Sequence, residues 1–328
     1  MLDYMFKNMY RMLMLAVMVL LSVLMLGCET EIEVDLPEYT PKLVIEGTIE
    51  NGEPAIVTLS KSIPYYSNID LEYLMNNVAI TDAVVTVTSS DGESEQLTFQ
   101  YCPDAPLYFA FVSKKLRGKE NTSYTLTVEY KGDTYRAETT IPHTFDIDSA
   151  WFDLPTDLVT TDTMRTIRIL LTDDASEANY YSFRIKVNCP KFKDRLWAYT
   201  LPIAFDDKTF NGCTFNYELE RYGVSTLATM GMGSSDQQIN SRLTFRPGDT
   251  VYIKHSLMDY NTYRFMMTGG NDAVMGTNPF TNPAPVASNI EGPNVLGAWC
   301  GFASKVDRIV WNDTVGYYSK SKFKSLKK

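Results

Sequence analysis

From Lys42 to Thr140 the chain alternates apolar and polar residues with a period near two, and turn signals break the pattern at short intervals. That period puts successive side chains on opposite faces of an extended backbone, so it predicts half-buried strands and excludes amphipathic helix. Leu43, Ile45 and Ile49 alternate with Glu46 and Thr48 and run into Asn51-Gly52. Ala55, Val57 and Leu59 follow, set against Thr58 and Ser60. A longer loop spans Ile63 to Asn77, then β-branched Val84–Thr88 turns at Asp91-Gly92 into Leu97 and Phe99. Tyr108–Val112 comes next, then Tyr124, Leu126 and Val128, and Lys131-Gly132-Asp133 leads into Thr134–Thr140. Asn-Gly and Asp-Gly tolerate the positive φ angles of tight hairpins. About seven strands at this spacing predict an antiparallel sandwich.

The stretch Leu116 to Val128, with Tyr124 at its centre, resembles the tyrosine-corner region of immunoglobulin-like and fibronectin-type domains. Pro142 cannot donate to a ladder, so the sandwich is expected to end there. The expected division is an immunoglobulin-like sandwich over residues 42–142 and a β-rich C-terminal domain over 143–328. In the second region Tyr181, Phe183, Ile185 and Val187 alternate with Arg184 and Lys186, one buried face and one wet face. One helix is expected over Leu257–Thr268, with Ser256 as N-cap and Gly269-Gly270 as the stop.

Ahead of the β-rich body, Lys7 and Arg11 precede an apolar run from Met12 that ends at Gly27-Cys28. The run is shorter than the roughly 20 residues a spanning helix needs. It reads as a signal peptide over residues 1–27, with cleavage before Cys28 and a lipid on its sulfur. Residues 28–41 then form an acidic tether carrying Glu29, Glu31, Glu33 and Asp35. The four remaining cysteines, Cys102, Cys189, Cys213 and Cys300, are an even set in an exported chain and permit two disulfides. Cys189 with Cys213 is the favoured pair, across one hairpin, although three connectivities remain open.

The sequence holds no established catalytic or metal motif. Its two histidines, His143 and His255, lie far apart, and Cys-x-x-Cys, His-Glu-x-x-His and Gly-x-Ser-x-Gly are all missing. The acidic doublets Asp173-Asp174 and Asp206-Asp207 point to opposite faces if extended, which suits a paired-carboxylate hydrolase badly. Acids between Asp148 and Asp162 offer oxygen ligands for calcium but lack EF-hand spacing. A net charge of −10 argues against nucleic acid as a partner. Tyr65, Tyr66, Trp197 and Tyr199 sit in aromatic loops and are the candidate contacts for a ligand or partner, since Tyr and Trp join an apolar face to a polar tip.

Several stretches stand in a characteristic order: Cys28 with its acidic follow-on, Pro41–Gly47, Tyr124–Val128, Asn179-Tyr180-Tyr181, Asn278-Pro279-Phe280, Ser288-Asn289-Ile290 and Leu296–Trp299. Together they resemble domain of unknown function 4249, a family of lipoproteins of the Bacteroidota. The resemblance implies an outer-membrane lipoprotein, lipid-anchored through Cys28 and facing the cell surface. It also implies a TonB-dependent outer-membrane receptor as partner, with nutrient binding or uptake as the role. The family supplies no catalytic residue and no cofactor. The alternatives are a surface adhesion or scaffold protein and a carboxylate-dependent hydrolase.

Overall fold

The structure, a computed structural model, describes residues 9, 11–18, 40–63, 71–103, 105, 108–154, 165–189, 197–220, 244–275, 286–311 and 318–319. The chain divides into Met1–Thr40 and Pro41–Lys328. In the first unit residues 11–18 are helical with exposed side chains, and among the described residues no helix is long and apolar enough to cross a membrane. Cys28 lies outside the described residues, as do Tyr65 and Tyr66.

The second unit is mainly β. Its first strands are β1 (Leu43–Glu50), β2 (Pro54–Lys61), β3 (Val84–Ser89), β4 (Ser94–Gln96), β5 (Thr98–Tyr101), β6 (Phe109–Arg117), β7 (Thr122–Tyr130) and β8 (Asp133–Ile141). They are followed by β9 (Ser149–Asp153), β10 (Thr166–Thr172), β11 (Tyr180–Asn188), β12 (Ala198–Tyr199), β13 (Phe205–Asp206), β14 (Thr214–Leu219) and β15 (Thr250–Met258). Helix α1 (Tyr260–Met275), β16 (Ile290–Glu291), β17 (Val295–Val310) and β18 (Tyr318–Ser319) complete it. A nine-stranded sheet runs β12-β11-β15-β17-β1-β2-β6-β5, with β13 also on β11. A five-stranded sheet, β16-β8-β7-β3-β4, and a four-stranded sheet, β14-β10-β9-β18, accompany it.

One continuous core joins the three sheets. Ile45, Ile49 and Val57 of the large sheet share it with Leu126, Val128 and Val87 of the five-stranded sheet. Phe183, Ile185 and Ile253 share it with Ile167, Ile169 and Leu171 of the four-stranded sheet. The expected boundary at His143 falls inside this unit. β1, β2, β5 and β6 from before it and β11, β15 and β17 from after it belong to one sheet.

The centre of that sheet is the pairing of β1 with β17, which is parallel, from Leu43 opposite Val295 to Glu50 opposite Phe302. Asn51 extends it: its side chain accepts from Ser304 N and donates to Ser304 O. Trp299 is fully buried, and its indole donates to the Tyr124 carbonyl in the five-stranded sheet. Asn289 brackets the Trp299 backbone, accepting from its N–H at 2.9 Å and donating to its carbonyl at 2.7 Å. Two glycines make the approach possible. A Cβ on Gly47 would sit 2.5 Å from the Trp299 ring, and Gly297, at φ +105°, would drive one into the Ile45 carbonyl. The Tyr124 hydroxyl accepts from Lys119 N at 2.7 Å and donates to the Arg117 carbonyl at 3.3 Å, tying the loop before β7 to that strand.

The helix differs from expectation at both ends. Leu257 belongs to β15, and the cap is Asp259, whose carboxylate accepts from Thr262 N at 2.8 Å. The same carboxylate accepts from Thr139 Oγ1 and Thr140 N, so the cap is also a tertiary anchor, which local spacing does not reveal. The helix continues through Gly269-Gly270 to Met275. A Cβ on Gly269 would meet Val286 at 3.4 Å, an ordinary van der Waals contact, and the glycine stands inside the helix instead of stopping it. Met266 and Thr262 are buried, while Tyr260 is exposed.

Gly47→Ala should lower the denaturant midpoint of the purified chain by the equivalent of about 1–3 kcal/mol, the usual cost of overpacking. An unchanged midpoint would mean that the Trp299 ring yields freely.

Candidate functional site

Along β11 and β15 the odd-numbered residues from Tyr181 to Val187 and from Val251 to Leu257 face the core. The even-numbered ones therefore project from the opposite face of the large sheet. On that face Arg184 stands directly opposite Lys254, and Lys186 opposite Tyr252. Like charges opposed across a ladder repel. Here Glu50, at the end of β1, accepts from both: Arg184 Nη2 at 2.7 Å and Lys254 Nζ at 2.7 Å. β17 lies between, and it meets β15 through Ser304 opposite Ser256. These two small residues, hydrogen-bonded at 2.8 Å, leave room for the long cations to cross above them.

The triad is largely withdrawn from water, with side chains 11–14% exposed. Burial alone would raise the Glu50 carboxyl, but Arg184 and Lys254 outweigh it and hold it down at about 2. Burial also works against the Arg184 cation, yet Glu50 keeps its pKa raised. Lys254 is lowered, by burial first and by Arg184 second, with Glu50 opposing.

Aromatic rings close the site. Trp197 and Tyr199 are both half-buried; Trp197 directly precedes the short edge strand β12, and Tyr199 lies on it, paired with Arg184. The Lys186 and Lys254 ammonium groups lie 5.0 and 4.9 Å from the Trp197 ring. Arg184 lies 5.5 Å from the Tyr199 ring and 5.1 Å from that of Phe302. Such contacts contribute about 0.5–2 kcal/mol each, more as they are desolvated.

The profile of one protein family, a domain of unknown function (DUF4249), matches residues 29–308. The chain belongs to this family. No curated protein matches it. In this DUF4249 member the match spans β1 to β17 and so includes Glu50, Arg184, Trp197, Tyr199 and Lys254.

Other sequence candidates are distributed elsewhere. No disulfide joins Cys189, intermediate in exposure, to Cys213, which is exposed; Cys189 follows the end of β11, and Cys213 precedes β14, its carbonyl accepting from Asp173 N. Cys102 and Cys300, both buried thiols, belong to separate apolar clusters. Burial, reinforced by Asp259, pushes the Cys300 thiol up to about 12. His255 is buried on the core face, with Nε2 3.0 Å from an Asp307 oxygen and its ring against Phe145. His143 pairs with Glu177. Asp173 and Asp207 are both buried and brace loops: Asp173 accepts from the Tyr181 hydroxyl and Gly212 N, and Asp207 from Asn179 N. Among the described residues no group of His, Cys, Asp or Glu is placed to hold a metal. An open polar cleft of about 460 Å³ lies over β8 and β16, lined in part by Arg136, Glu138, Asn261 and Glu291.

Sequence reasoning placed Arg184 on a wet face and did not single out Glu50 or Lys254. The available signal was a cation at the same parity on two separate strands, but only the register sets them opposite one another. Glu50→Gln would leave two buried cations facing each other and should cost about 3–5 kcal/mol. The pH dependence has a definite sign. The folded carboxyl at about 2 lies below its ordinary 4.5, so its stabilisation is complete above about pH 4.5 and is lost as pH falls toward 2. Urea titrations between pH 2 and 6 should show this slope in the parent and its loss in the variant.

Proposed function

We propose that the chain is a non-enzymatic, lipid-anchored outer-membrane protein that assists a TonB-dependent receptor in nutrient binding or uptake at the cell surface. The observation that carries the binding role is the Glu50–Arg184–Lys254 site with its Trp197 and Tyr199 rings. It offers charge and flat apolar surface on a sheet of fixed register. Its chemistry favours binding over catalysis. The Glu50 carboxylate, held near 2, and the raised Arg184 guanidinium exchange no protons near neutrality, where a general acid or base must do so, and the lowered Lys254 ammonium is paired with Glu50. Cys28, following an apolar run and preceding an acidic tether, supports the anchor. The bond to a receptor follows from the family resemblance.

The test is affinity purification of the tagged chain from detergent-solubilised outer membrane. Recovery of a TonB-dependent receptor is expected, and Cys28→Ala should release the chain from the membrane fraction. Recovery of the chain alone after cross-linking, or a Cys28→Ala chain that stays in the membrane, would overturn the reading.

A further inference from the structure

We infer that the outer corner of the large sheet around Trp197 binds a small ring compound carrying an oxyanion, a carboxylate or its equivalent. Register places the cations. Arg184 and Lys186 lie on β11, Lys254 on β15 beside them, and Arg308 on β17, opposite Tyr252, which is itself opposite Lys186. All four share one sheet face, with neighbouring strands about 4.8 Å apart. Against them the face supplies Glu50, with Glu53 acting on Lys254 from the adjoining turn. Among the described residues cations therefore outnumber carboxylates here, in a chain whose net charge is −10.

Two observations indicate that this excess faces a ligand. Glu50 is already bonded to both inner cations, while Lys186 is half-buried and Arg308 exposed at the rim, where an incoming anion meets them first. Arg184 Nε is buried and has no hydrogen-bond partner among the described residues, which leaves the inner shell a donor to satisfy. Trp197 then sets the rest of the ligand. The Lys186 and Lys254 ammonium groups lie over its ring, so a ligand ring packed against the indole would carry its anionic substituent to those groups. The strands carrying the cations, β11, β15 and β17, are consecutive neighbours fixed in pairing, so little ordering would be needed on binding.

The inference rests on reading this corner as a contact surface. Its test uses the purified full-length chain in detergent with no receptor present, so it can fail while receptor recovery succeeds, and the reverse. Calorimetry and tryptophan fluorescence would follow titration with glucuronate and benzoate, each against its uncharged counterpart, glucose or benzyl alcohol, and with inorganic sulfate. At least one anionic ring should bind more tightly than its neutral partner and than sulfate, more weakly as salt rises. Lys186→Ala and Trp197→Ala should each weaken it about tenfold, the worth of one charge-assisted contact. Trp197→Phe should restore most of the loss, and an unchanged denaturant midpoint in each variant would separate lost contact from lost fold. Failure of both anionic rings to bind, equal binding of their neutral partners, or binding indifferent to Lys186 and Trp197 would overturn the proposal.

Discussion

The parallel pairing of β1 with β17 is the constraint on which the rest of the body depends. Parallel neighbours cannot be joined by a hairpin and need a long excursion of chain between them. Here that excursion runs from Asn51 to Asn294 and contains the five-stranded sheet, β9, β10 and β14 of the four-stranded one, the helix, and the two cations that Glu50 holds. The pairing holds because Gly47 and Gly297 remove the two side chains that would collide, and Asn289 and Asn51 fix the backbone of β17 at Trp299 and at Ser304. Trp299 fills the space above Gly47 and reaches the Tyr124 carbonyl, linking the large sheet to the five-stranded one.

The strands with one wet face were legible in the sequence. β1, β2, β7, β8 and β11 follow the alternation read from their residues, and Tyr124 makes the backbone bonds its context suggested. β17 was not legible as a strand. From Ala298 to Ala303 it is buried on both faces, so its pattern is an unbroken small-and-apolar run without alternation. The division at His143 was read from Pro142, a local signal, whereas membership of a sheet is decided by partners far away in the chain. The helix was placed correctly in its middle only. Its cap is shared with β8, and the helix runs on through its two glycines. Of the aromatic candidates, Trp197 and Tyr199 come together with charges whose importance depends on register, and no local spacing encodes that.

The site is a local conflict that the fold tolerates. A sheet chosen for stability alone would not oppose Arg184 with Lys254, nor bury both over a pair of serines. Replacing such buried ionic groups by apolar residues of similar volume often leaves a protein as stable or more so. The groups are held in place by one carboxylate from a strand that is not adjacent to either of theirs. Conflicts of this kind concentrate where binding or specificity has been favoured over stability.

The position of β1 also sets how the body bears force. Any pull transmitted along the chain before Pro41 enters at Leu43, the first residue of a strand flanked by β2 on one side and β17 on the other. Such a pull runs along the strand, across ladder bonds that lie roughly perpendicular to it on the β2 side. The bonds on both sides are loaded together in shear and cannot open one at a time from an edge. A protein held by its leading segment would thus take the strain on a strand paired along both sides, while the corner carrying Trp197, several strands away, stays undistorted.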